Sequence, residues 1–290
     1  MKTLRITGVP EHFNLPWKNV IARQPFASKG IEVTWTDESR GSGQMNKAIR
    51  NDETEIALIL TESFFQDFEN GSPAKMIGFH VKSPLIWGVH IHGKCPINHL
   101  SEIQDPSFLI SRMGSGSQLM SYVLAKRENW KKESLSFSII GNLPGALEAM
   151  VPEKPEMFLW EKYTTKPWVD SHELKRIGEI SSPWPCFVMV ASNKALKAFG
   201  DVILQLRDMV YEESAHLQQS KSTVSEIADK YKLHPEDVVQ WLTQTEWATK
   251  AEVSQVELQK AIQNMVDLGI LKKELSLGDF LFNSSIRILD

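Results

Sequence analysis

Ile56-Ala57-Leu58-Ile59-Leu60 places five apolar residues in unbroken succession. A strand with one wet face alternates in polarity. An unbroken run instead suits a central strand of a parallel sheet, covered by helices on both faces. Toward the N-terminus the period keeps switching. Gln44 to Arg50 reads as a helix, and Ile31 to Thr36 as a strand with Ile31, Val33 and Trp35 on one face. Trp17 to Ala27 reads as a helix and Leu4 to Ile6 as a strand. Strand, helix, strand, helix, strand predicts an open α/β sheet with right-handed crossovers.

Toward the C-terminus, Met76 to Val81 and Leu85 to Ile91 are strand-like and too close together for a helix between them. Phe108-Leu109-Ile110-Ser111 opens a second alternation. A helix from Ser117 to Arg127, a strand Leu135 to Ile140, a helix Leu143 to Met150 and strands at Met157 to Trp160, Leu174 to Ile180 and Cys186 to Ala191 follow. From Asn193 onward the pattern predicts only helix: Ala195 to Gln219, Val224 to Tyr231, Pro235 to Thr243, and Ser254 to Leu268 with Gly269 as its stop. This order predicts two α/β lobes. Residues 1–87 with 187–290 form the first, including the helical tail, and 88–186 the second, with hinge strands near 84–91 and 183–190.

Composition narrows the function. A chain of 290 residues suits two lobes. The net charge of −4 supplies no general attraction for nucleic acid or an anionic membrane. No stretch approaches the roughly 18 apolar residues of a membrane span. Thr223 to Trp241 has the rhythm of a helix-turn-helix, but Glu226, Asp229, Glu236 and Asp237 argue against DNA. Met1-Lys2-Thr3 runs directly into the first strand without an apolar leader segment, so the expected location is cytoplasmic. A periplasmic or extracellular one would need a leader removed beforehand. Cys95 and Cys186 are the only cysteines and are expected as buried thiols; without a CxxC pair, a thiolate zinc or iron–sulfur site is not expected. His90 and His92 share a strand face, with His80 and His99 nearby, yet no acid stands at a metal-ligand spacing. Neither a metal, a cofactor nor a catalytic signature such as GxSxG or HExxH is expected.

The sharpest local motif is Ser111-Arg112-Met113-Gly114-Ser115-Gly116-Ser117-Gln118, between a strand and a helix. Gly114 and Gly116 let backbone approach a ligand. Ser115 or Ser117 can cap the helix, whose free N–H groups favour an anionic or carbonyl group. Arg40-Gly41-Ser42-Gly43-Gln44 holds the equivalent position in the first lobe, which makes Gly41 and Ser42 candidates. Gly8, Pro10 and Glu11 follow the first strand, and Thr61 and Glu62 follow the third. Either group can equally be a plain turn or helix cap. Asn142 precedes the helix at Leu143 and joins the ligand-binding set. Trp160 offers a stacking face with Glu161 as an acceptor beside it, against a bland reading of core Trp and surface Glu. Trp184, between Pro183 and Pro185, belongs to the ligand-binding set and marks a stiffened hinge.

These residues together resemble the type II periplasmic-binding-protein superfamily, especially a leaderless branch related to thiamine-pyrimidine-synthase-like and sulfonate/taurine-type binding proteins. The likeness rests on Leu4 to Pro10, Ile110 to Ser117, Phe158 to Pro167, Glu173 to Ile180 and Pro183 to Val188. It implies two α/β lobes, two hinge strands and a ligand held in the cleft. Transport members carry an export signal, which is missing here and argues against a permease partner. The pyrimidine synthases use a cysteine-rich motif with pyridoxal phosphate and iron; with no cysteine cluster, that chemistry is not expected. The expectation is a binding protein for a small polar or heteroaromatic metabolite, with a thiamine-related pyrimidine as one example. The alternative is an enzyme of pyrimidine or thiamine-precursor metabolism, with His12, His90 or His92 as general base or ligand.

Overall fold

The computed structural model describes residues 2–282 and 285–290. The chain forms two compact units, Met1–Ser83 with Pro183–Asp290, and Pro84–Ser182. The boundaries expected from sequence lie four residues further along each crossing (87 against 83, and 186 against 182).

The first unit begins with β1 (Lys2–Gly8), α1 (Leu15–Ala22), β2 (Ile31–Asp37), α2 (Ser42–Arg50), β3 (Ile56–Leu60) and α3 (Thr61–Glu69). β4 (Ala74–His92) then carries the chain into the second unit, which contains β5 (Ser107–Ile110), α4 (Gly116–Arg127), β6 (Ser136–Ile139), α5 (Leu143–Ala149), β7 (Met157–Glu161) and α6 (Lys166–Asp170). β8 (Leu174–Ser192) leads back to the first unit. There α7 (Asn193–Gln219), α8 (Thr223–Tyr231), α9 (Pro235–Gln244), β9 (Glu252–Ser254), α10 (Gln255–Asp267), α11 (Leu277–Phe280) and β10 (Arg287–Leu289) complete the chain.

Each unit uses the same strand plan. In the first, β1 lies between β2 and β3, parallel to both, with Ile6 opposite Trp35 on one side and Ile56 on the other. β3 pairs antiparallel with the end of β8, from Ile56↔Ala191 to Leu60↔Phe187. In the second, β5 lies between β6 and β7, parallel to both, and β7 pairs antiparallel with the end of β4, from Trp87↔Glu161 to His90↔Phe158. The three parallel strands of each unit therefore deliver their carboxyl ends to one edge, where loops of open α/β sheets gather ligand-binding groups.

Ile56, Ala57, Leu58 and Ile59 are all buried, as a strand covered on both faces requires. Leu4, Ile6, Val33, Phe64, Phe65, Ile203, Leu206 and Val210 extend that core, and Phe108, Leu109, Phe158 and Leu159 lie at the centre of the second. Each such side chain contributes roughly 1.5–3 kcal/mol by leaving water.

Three local expectations are corrected. The two pairs of short strands are single 19-residue strands, β4 and β8. Lys82-Ser83-Pro84 and Ser181-Ser182-Pro183 interrupt the apolar pattern but not the extended backbone, which a proline and the residue before it favour. The helix expected to reach Ala27 ends at Ala22. Gln24 there takes φ 46°, and its amide bonds both backbone groups of Val33, tying the loop to β2. The tail is not purely helical, because β9 and β10 form a parallel pair, Arg287↔Glu252 to Leu289↔Ser254. Three residues are too few to show a period.

The tail is bound into the first unit. Ala248 N–H donates to the His80 carbonyl, Lys82 N–H to that of Glu246, and Phe282 N–H to that of Met76, so tail backbone pairs along the first half of β4. Buried Arg207 donates to the carbonyls of Ile77 and Ser285, 3.0 Å each, and Trp247 Nε1 to that of Phe13 at 2.7 Å.

Candidate functional site

In the second unit the loop after β5 is built by its own side chains. Ser115 is the N-cap of α4, its Oγ accepting from Gln118 N–H at 3.3 Å. Ser117 Oγ accepts from Ser111 N–H at 3.2 Å and lies 2.9 Å from Ser115 Oγ. Gln118 Oε1 accepts from Gly114 N–H at 2.6 Å, and Gly114 turns the chain with φ 74°. The flanking donors are thus satisfied. The N–H groups of Gly116 and Ser117, in the first turn of α4, have no acceptor in their own helix, and these loop side chains supply none. Ser115, Gly116 and Ser117 are buried, so the donors belong to a sheltered site rather than to open solvent. Arg112 is half-buried beside them, and its guanidinium bonds no described residue. Burial lowers its pKa from the usual value.

The other second-unit candidates are more locally committed. Asn142 caps α5, its Oδ1 accepting from Gly145 N–H at 3.1 Å. Trp160 is half-buried and stacks on Phe158, centroids 5.3 Å apart at 21°, against the cluster of Leu109, Leu143 and Leu174. Glu161 is buried at the end of β7, where Oε2 accepts from Thr164 N–H at 2.5 Å and Tyr163 N–H at 3.0 Å. Burial raises its pKa to about 6, and those bonds pull against the rise.

In the first unit, Gly8, Glu11, Gly41, Ser42, Thr61 and Glu62 all stand at the carboxyl ends of β1, β2 and β3. Gly8 is glycine for packing: a Cβ there would stand 2.5 Å from the Trp35 ring and 2.9 Å from Asn14 Nδ2. Pro10 is exposed and Glu11 buried. Gly41 precedes α2 with φ 79°, and Ser42 Oγ accepts from Leu60 N–H at 3.0 Å, fixing α2 to the end of β3. Thr61 is wholly buried and its Oγ1 has no partner. Glu62 is 1 % exposed and accepts from Trp184 Nε1 at 2.7 Å. Trp184 stands on β8 three residues before Phe187, the partner of Leu60, which brings its indole to the end of β3. Burial raises the Glu62 pKa to about 7, with the indole bond acting in the opposite sense. Reading Trp184 as a hinge marker misses this pairing, because no local pattern links positions 122 apart.

The histidines suggested for catalysis have structural surroundings. His12 packs edge-on to Trp241, centroids 4.3 Å apart, and burial lowers its pKa to about 3. His90 is buried, with Nδ1 3.2 Å from the Phe158 carbonyl and Nε2 2.9 Å from Thr165 Oγ1. His92 lies on a separate cavity of about 410 Å³ with Lys94, Leu147, Met150 and His172, beyond the amino end of β7 and away from the α4 loop. Among the described residues no group of three His, Cys, Asp or Glu could hold a metal ion, Cys95 and Cys186 are buried, and no helix is long and apolar enough to cross a membrane.

Comparison with known proteins places this geometry. The model of the Ca3427-like PBP family matches residues 92–180. No curated protein matches the chain. Among solved structures, the Candida albicans CA3427 gene product, described as having the generic periplasmic binding protein fold, is 24 % identical, with a TM-score of 0.84 over 99 % of this chain and 96 % of that one. The alkanesulfonate-binding protein SsuA from Xanthomonas axonopodis pv. citri, bound to MOPS, is 11 % identical, with a TM-score of 0.75 over 100 % of this chain and 99 % of that one. PhnD1 from Prochlorococcus marinus, in complex with methylphosphonate, is 10 % identical, with a TM-score of 0.62 over 93 % and 99 %. With the strand plan repeated in each unit, the chain has the type II periplasmic-binding-protein fold.

Proposed function

We propose that the protein binds a small polar or heteroaromatic metabolite at the carboxyl edges of its sheets, a thiamine-related pyrimidine being one candidate. The observation that carries this reading is the α4 loop. It holds Gly116 and Ser117 N–H groups in a buried helix N-terminus beside a half-buried Arg112 that bonds no described residue. Such a set takes an anionic or carbonyl group. Ser115 and Ser117 fix the donors, with Trp160 and Glu161 at the end of β7 in the same unit. The structures of SsuA with MOPS and PhnD1 with methylphosphonate lend support, since both are ligand-bound proteins of this fold.

The test is native mass spectrometry on freshly purified protein, followed by thermal-shift screening with pyrimidines, sulfonates and carboxylates. A co-purifying small molecule, or a melting temperature that climbs with ligand concentration as linkage requires, supports the reading. Protein that carries no ligand and a flat screen would remove it.

A further inference from the structure

The cavity of about 410 Å³ that His92 lines lies wholly within the second unit, apart from the α4 loop, and has the size of a small-molecule site. Three pieces of that unit build it: the end of β4, the helix α5, and the turn that leads into β8. Its floor is apolar. Buried Met150 and Leu174 belong to the core cluster of Leu109, Leu143 and Phe158, and half-buried Leu147 packs against that cluster. Its mouth is held by backbone. Gly93 N–H donates to the Glu173 carbonyl at 2.9 Å, and a Cβ on Gly93 would stand 1.7 Å from the His172 carbonyl oxygen. His172 there takes φ 63°, a conformation costly for a residue with a side chain.

The polar lining carries both signs of charge. Lys94 is exposed, and its ammonium bonds no described residue. The Lys94 backbone N–H donates to Nδ1 of His92 at 3.1 Å, so the neutral ring carries its proton on Nε2, as a donor. Glu173 has one oxygen engaged, Oε1 accepting from Ser171 Oγ at 2.9 Å. A lone anion here would meet the Glu173 carboxylate, and a lone cation the Lys94 ammonium. A molecule that carries both charges avoids each conflict. We propose that this cavity is a second binding site, and that it takes an α-amino acid with an apolar side chain. The carboxylate goes to the Lys94 ammonium and the His92 Nε2–H, the α-ammonium to Glu173, and the side chain to Leu147, Met150 and Leu174. Charge-assisted bonds at both ends select the free amino acid, and the apolar floor selects against a polar side chain. No group of the α4 loop takes part, so the assignment stands apart from the function proposed above.

Calorimetry on the full chain tests this with L-leucine and L-phenylalanine. At least one should bind, and losing either charge should weaken it about tenfold or more. The matched probes are 4-methylpentanoate and 3-methylbutylamine for L-leucine, and 3-phenylpropanoate and 2-phenylethylamine for L-phenylalanine. Lys94→Ala and Glu173→Gln change exposed side chains, so the fold should survive, and each should weaken the amino acid about tenfold. An analogue that binds as tightly as its amino acid, or an affinity that survives both substitutions, overturns the assignment. Silence from both amino acids in folded protein also overturns it, and leaves the function proposed above standing.

Discussion

The indole Nε1 of Trp184 donates to Oε2 of Glu62 at 2.7 Å, joining the returning strand β8 to the first turn of α3. Burial raises the Glu62 pKa from 4.5 to about 7. Between those values the folded chain holds a proton that the unfolded chain has released, so this group's contribution is full below pH 4.5 and declines as pH climbs through 7. Glu62→Gln removes that dependence. Relative to the parent, the variant should gain on the order of 3 kcal/mol between pH 4.5 and 8. Urea melts of both proteins at pH 5 and pH 8 measure it, and an unchanged difference between the two pH values would contradict the buried carboxyl.

His12, His80 and His90 have the opposite sign. Burial lowers each pKa to about 3. Their contribution is full above the ordinary value of 6.5 and is lost as pH falls from there toward 3, because only the unfolded chain takes up those protons. Of the eight histidines, these three should keep neutral-ring Cε1–H signals down to pH 5. A protonated shift at any of them in folded protein would show that its ring reaches solvent.

Gly8→Ala should cost about 1–3 kcal/mol, since the added methyl meets the Trp35 ring at 2.5 Å and overpacking strains the neighbours. Adding Trp35→Leu should recover part of that loss. Chemical denaturation of the single and double variants decides, and a Gly8→Ala protein as stable as the parent would return Gly8 to the ligand.

Ser115→Ala removes the N-cap of α4 and should cost about 1 kcal/mol of stability. Ser117→Ala leaves the Ser111 N–H without its acceptor and should weaken any ligand found by the screen more than it lowers the melting temperature. A loss of stability with unaltered affinity would make the loop a structural cap only.

The strands and helices were legible where apolar periodicity is long and local. Ile56 to Leu60 is one strand with those bounds, and Ser42–Arg50, Gly116–Arg127 and Asn193–Gln219 are helices within two residues of the expected limits. The merged strands escaped notice because Pro84 and Pro183 look like breaks in a linear pattern while fitting extended backbone. The candidate site was legible as loops but not as partnerships. The sequence pointed to Ser115 and Ser117 but was silent on their mutual bond. It named Glu62 and Trp184 separately, since contacts across 122 positions are set by strand pairing and not by spacing. Trp160 and Asn142, chosen as ligand contacts, also have the ordinary tasks of packing and capping.

The first unit is made of two separated stretches, and the second of one continuous stretch between them. On the ribosome, residues 84–182 are complete before β8 has returned, so the second unit can close its core while the first still lacks α7 and the strand that pairs with β3. Until residues 183–290 emerge, β3 has no antiparallel neighbour, and the first half of β4 lacks the tail backbone at Glu246, Ala248 and Phe282. The nascent chain therefore passes through a stage with an open sheet edge prone to pairing with other chains, a hazard that lessens as residues 187–191, Glu246, Ala248 and Phe282 take their places.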